Sequence, residues 1–183
     1  MPAGFRGSRP EAQREHAVAS DIPPTAQEVL SREFISFLGM IVAAGVNLRD
    51  LLKRTLGTVV QAASADSGSI ILLDERGTPR EACLAYNGEI WHQNSPHVAN
   101  LATNGLAGWV LKNRKAAIVP STLDDPRWLR SVWEKETDDS RSALVVPLLA
   151  GERPVGVLTL IRSHLRKFEE SDLSRVRDNL AYA

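Results

Sequence analysis

The stretch Gly105–Trp128, GLAGWVLKNRKAAIVPSTLDDPRW, decides how the 183-residue chain is read. Gly105 and Gly108 bracket the start of an apolar helical pattern formed by Leu106, Ala107, Val110 and Leu111. The pattern stops in Lys112, Asn113, Arg114 and Lys115, where cations complement the negative end of a helix dipole. Ala116 to Val119 predicts a short buried strand, closed by Pro120, which has no N–H to give a ladder. Asp124-Asp125-Pro126 reads as a turn with acceptor side chains, and Trp128 follows it. A helix, a strand and a turn in such quick succession, with tryptophans nearby, can wall off a pocket. The stretch contains no obvious catalytic group.

Downstream, Ser142–Ile161 reads SALVVPLLAGERPVGVLTLI, two apolar strands joined by a Gly-Glu-Arg turn at Gly151. Their near-continuous apolar character predicts burial on both faces. Pro147 is expected at an edge or bulge. Upstream, Ser67 to Leu73 (SGSIILL) and Arg80 to Tyr86 form a hairpin across the Asp74–Gly77 turn, with Asn87-Gly88 as a further turn. Between them, Glu89 to Asn104 holds Trp91, His92 and His97, then a helical pattern at Val98, Leu101 and Ala102. Leu129 to Arg141 predicts a short helix plus loop anchored by Val132 and Trp133. Asn47 is a candidate N-cap for a helix whose stripe is Leu51, Leu52, Thr55, Leu56, Val59, Val60 and Ala63.

Two motifs in this order and spacing carry a resemblance. A glycine-bracketed helix, an apolar strand and an acidic Asp-Pro turn before an aromatic, followed by the paired strands of Ser142–Ile161, resemble the GAF domain, the small-molecule-sensing module of signalling proteins. The resemblance spans about Asn47 to Ala183. It implies an α/β (α+β) fold with a central antiparallel sheet. The N- and C-terminal helices would lie on one face, and a cavity on the other, under Glu89 to Arg141. It further implies a non-catalytic regulatory domain that binds an unidentified small molecule and signals through its terminal helices. A ligand-free dimerisation module is the alternative, and an enzyme or a chromophore- or haem-binding domain ranks behind both. The free-methionine-sulfoxide reductases of that family use several cysteines, and this chain has one, Cys83. The bilin-binding branch carries a Cys-His pair around Trp133 to Arg141, where this chain has no cysteine. The Asn-Lys-Phe-Asp-Glu signature of the cyclic-nucleotide branch is not found.

The two ends read differently from the middle. Residues Met1 to Pro24 are poor in apolar side chains and predict a disordered leader. Thr25 and Glu28 form a capping box. The helix they open carries Leu30, Phe34, Phe37, Ile41, Ala44 and Leu48 at spacings of 4, 3, 4, 3 and 4, a heptad seam. This predicts a dimerisation helix over residues 25–46, ahead of a sensory domain over 47–183, and hence a homodimer. At the far end, Leu173, Val176, Leu180 and Ala183 form a helical stripe with no glycine or proline stop. A piece of a longer polypeptide is expected, or a helix that continues into an output domain.

Composition narrows the function. Twenty-two basic and 22 acidic residues cancel, so neither a nucleic-acid nor a membrane partner is expected. One cysteine excludes an internal disulfide and fits a cytoplasmic location. No cofactor, metal site or catalytic residue is expected. His92 and His97 are five apart and read as loop or surface residues, and Cys83 as a small buried apolar group. The candidate pocket residues are Trp91, Trp109, Trp128 and Trp133, with Asp124 and Arg127 for polar contacts.

Overall fold

A computed structural model describes residues 47–93, 95–130, 140–163 and 166–182. The expected seam residues Leu30, Phe34, Phe37 and Ile41, and the candidate Trp133, lie outside these residues.

The chain enters helix α1 (Leu48–Ala62) through Asn47, whose side chain accepts from the Arg49 N–H at 3.0 Å. Its buried residues are Leu51, Leu52, Thr55, Leu56 and Val59, most of the apolar stripe read from the sequence. Strand β1 (Ser67–Leu73) pairs antiparallel with β2 (Pro79–Tyr86), as the hairpin reading requires. Asn87 and Gly88 then take φ of 51° and 79°. Positive φ at both central residues makes a two-residue hairpin turn that matches strand twist. It delivers a third strand, β3 (Glu89–His92). Helix α2 (Pro96–Asn104) is capped by Ser95, and α3 (Leu106–Asn113) follows directly after Gly105. Strand β4 (Ala117–Val119) leads to β5 (Arg141–Ala150) and β6 (Arg153–Ser163), and α4 (Glu170–Tyr182) comes last.

The six strands form one antiparallel sheet in the order β3-β2-β1-β6-β5-β4. β4 pairs only with Ala143, Leu144 and Val145 of β5. Pro147 lies beyond its reach, so the N–H that proline lacks has no β4 partner to lose.

Side-chain alternation divides the sheet into two packed layers. Ile70, Leu72, Cys83, Ala85, Leu144, Val146, Leu148, Leu158 and Leu160 point to one face, where they pack with Leu52, Leu56 and Val59 of α1 and Leu173, Val176 and Leu180 of α4. The opposite face carries Ile71, Ala82, Ala143, Val145 and Val157 under α2 and α3. This is the layered α+β arrangement expected from the sequence.

Candidate functional site

The strand alternation that turns Ile71 toward α2 and α3 also turns Ser67 and Ser69 that way. Ser69 is paired with Thr159 of β6, and Thr159 with Val145 of β5. The middle of the sheet on this face is therefore floored by short side chains. A helix layer cannot settle fully onto such a floor, and a cavity of about 40 Å³ remains. Ser67, Ser69, Ile71, Val145, Thr159 and Ile161 form its base, with Leu101, Leu106, Ala107, Trp128 and Leu129 above. The volume exceeds the roughly 10–15 Å³ one water needs and falls far below the roughly 300–1,000 Å³ of a drug-sized pocket.

Ser67 is 2% exposed, and its hydroxyl has no hydrogen-bond partner. An unpaired buried hydroxyl costs about 1–3 kcal/mol. Alanine at this position would avoid that cost. Among the described residues that line the cavity, none carries a charge. The first turn of α3 supplies Leu106 and Ala107 to the wall, and Gly105 gives that helix no side-chain cap. A helix N-terminus favours negative charge by about 0.3–1 kcal/mol, up to about 2 when partly buried. Burying an anion without a counter-ion costs several kcal/mol, so the desolvation cost wins.

The candidate residues from the sequence do not all meet here. Trp128 lines the cavity. Trp109 lies on the outer side of α3 and is 36% exposed. Arg127 stacks on its ring at 4.5 Å and donates to both carboxylate oxygens of Asp125, at 2.9 and 2.6 Å. The Arg127 guanidinium holds the Asp125 carboxyl below the usual carboxylate range. Asp124 and Arg127 flank a separate surface groove beside Val119, Pro120 and Ser121. Trp91 lies on β3 opposite Leu84. His92 is a strand residue opposite Cys83, with both ring nitrogens buried and unpartnered, and so differs from the loop or surface position expected. His97 sits in the first turn of α2. Cys83 is fully buried, and burial pushes its thiol up to about 11.

The sequence model of the GAF domain matches residues 45–178. The chain belongs to the GAF domain family. No curated protein matches it. Solved structures with this fold include the GAF domain of an Acinetobacter phosphoenolpyruvate-protein phosphotransferase. It is 21% identical, with 87% of this chain and 93% of that one covered and a TM-score of 0.53. The corresponding Coxiella burnetii domain is also 21% identical, with 87% and 94% covered and a TM-score of 0.55. The free methionine-R-sulfoxide reductase of Neisseria meningitidis, solved with its substrate, is 23% identical, with 86% of each chain covered and a TM-score of 0.52. At these identities the likeness concerns the fold.

On the other face of this GAF domain, one arginine joins three elements. Arg162, next to cavity residue Ile161 on β6, turns to the α1/α4 side. Its guanidinium donates to the Ala63 carbonyl at the end of α1, from Nε at 3.1 Å and also from Nη2. It forms a two-pronged bridge to Asp172 of α4, at 2.8 and 3.2 Å, and stacks on Phe168 at 4.1 Å. Asp172 also accepts from the Glu169 N–H at 3.0 Å, reaching back to the start of the helix as the third residue of a capping box does. Burial raises the Asp172 carboxyl, but the hydrogen bonds from Arg162 and Glu169, with the charges of Arg162 and Arg175, outweigh it and hold it below the carboxylate range. The GAF cavity and this junction share one strand.

Proposed function

We propose that this GAF domain is a non-catalytic sensory module of a signal-transduction protein, and that the cavity over Ser67, Ser69 and Thr159 holds its small-molecule ligand. The observation that carries the reading is the buried Ser67, whose hydroxyl has no partner, on a cavity floor shared with the hydroxyl residues Ser69 and Thr159. A ligand that prefers one packing of β6 shifts the population of that state, and only its differential affinity does so. Thr159 and Ile161 touch the cavity, and Arg162 holds α1 and α4, so both terminal helices of the described domain feel a shift in β6. An enzymatic reading is less favoured. Cys83, the one cysteine, packs on the α1/α4 side of the sheet, away from the cavity.

The test is native mass spectrometry of the full chain after exposure to a small-molecule cell extract, alongside Ser69→Leu, which fills the cavity. We expect a discrete added mass on the wild type and none on the variant. Equal added mass on both, or none on either, contradicts the reading.

The homodimer rests on the heptad spacing of Leu30, Phe34, Phe37 and Ile41 alone. Phe37→Asp is expected to halve the mass seen by light scattering and to leave the sheet folded by circular dichroism. An unchanged mass removes the dimer from this account.

A further inference from the structure

We infer that the cavity selects a small uncharged polar molecule, an amide, ketone or alcohol of a few heavy atoms, and rejects carboxylates and phosphates. This rests on the reading of the cavity as a ligand site and specifies its chemistry. Three observations lead to it.

The first is Ser67, a residue 2% exposed that lines the cavity and whose hydroxyl has no partner. A hydroxyl both donates and accepts. It therefore satisfies a carbonyl, by donating, or an alcohol, by accepting. Ser69 and Thr159, paired across β1 and β6, place two more hydroxyls on the same floor. The ligand is thus asked for one polar end among apolar walls of Ile71, Leu101, Leu106 and Trp128.

The second is charge. Among the described residues, no cationic or anionic side chain lines the cavity. Arg127, adjacent to lining residue Trp128, is bound to Asp125 at 2.6 and 2.9 Å and covered by Trp109. Among these described residues an anion entering here gains no counter-ion for the water it leaves. The uncapped first turn of α3 offers partial positive charge, which suits a carbonyl dipole and falls short of offsetting full anion desolvation.

The third is size. About 40 Å³ holds a few water-sized groups and excludes a nucleotide without a large opening of α2 and α3 from the sheet.

Acetamide and acetate test this directly, because they match in size and differ in charge. Each is titrated at neutral pH into the isotope-labelled full chain, followed by amide and methyl NMR. Acetamide is expected to shift resonances of residues 67–71, 101 and 106–107 in a saturable way. Acetate is expected to bind at least about tenfold more weakly, since each tenfold step is only about 1.4 kcal/mol. Ser67→Ala is expected to weaken acetamide severalfold while leaving the spectrum otherwise native. Acetate binding as tightly as acetamide overturns the charge selection and leaves the cavity a ligand site. Saturable shifts from neither probe overturn both, leaving the Ser67 hydroxyl as a group served by water. Acetamide shifts confined to residues away from the cavity also overturn the inference.

Discussion

The two faces of the sheet are built from the same strands and differ in how closely the centre of the sheet is packed. On the α1/α4 face, leucine and isoleucine side chains interlock, and the buried charge of Arg162 meets Asp172, the Ala63 carbonyl and the Phe168 ring. On the α2/α3 face, serine and threonine occupy the centre of the sheet, a cavity remains and one hydroxyl has no partner. A chain optimised only for stability would treat the two alike. The first face is filled and tied, the second leaves space, and β6 belongs to both.

Breaking the tied face has the largest expected effect. Arg162→Met leaves the buried Asp172 carboxylate with only the more exposed Arg175, at 3.8 Å, as a cationic partner and is expected to cost roughly 3–5 kcal/mol in urea unfolding. A loss under about 1 kcal/mol, the range of a solvent-exposed pair, shows that Arg162 does not organise this face. Truncation sharpens the contrast next. Leu56→Ala removes a fully buried side chain from a filled layer, whereas Leu106→Ala removes one that already borders empty space. Both fall within the roughly 2–5 kcal/mol of such changes, with Leu56→Ala the larger because more contacts are lost. The reverse order in paired denaturation curves contradicts the account of the two layers.

Acid separates the faces more gently. The folded Asp172 carboxyl lies below its ordinary value of 3.8. A depressed carboxylate stabilises the fold above the ordinary value, and that contribution is lost as pH falls through the lower, folded value. Stability therefore drops below pH 3.8, and Asp172→Asn removes that part of the slope, as followed by unfolding midpoints against pH. The cavity lining holds no titrating side chain among its described residues, so Ser69→Leu leaves the slope unchanged.

Much of the fold was legible because its signals are local. The strand SGSIILL has the bounds read from the sequence, since its apolar run ends at a turn. The Asn47 cap and the α1 stripe follow from spacing. Strand β3 was not legible. Glu89–His92 is four residues long and half-buried, with no clear alternation, and only the Asn87-Gly88 turn announced that a partner strand follows. The site was legible only in part. Tryptophans drew attention because they are large, yet of the described candidates Trp91, Trp109, Asp124, Arg127 and Trp128 only Trp128 lines the cavity. Its floor is marked by what is small. Ser67 and Ser69 alternate on one face of a strand whose later residues are isoleucine and leucine. Which face they share, and that Thr159 sits opposite, is a matter of long-range register that spacing along the chain does not encode.

The proposed ligand site requires that the unsatisfied Ser67 hydroxyl be kept at the expense of stability. Equilibrium unfolding of wild type and Ser67→Ala, each with and without acetamide, tests it most directly. The account predicts that Ser67→Ala is more stable than wild type by about 1 kcal/mol without the probe, because a buried unpaired group is gone. It also predicts that acetamide, at the same concentration, stabilises the wild type more than the variant. A destabilised Ser67→Ala that responds to acetamide as the wild type does would contradict it.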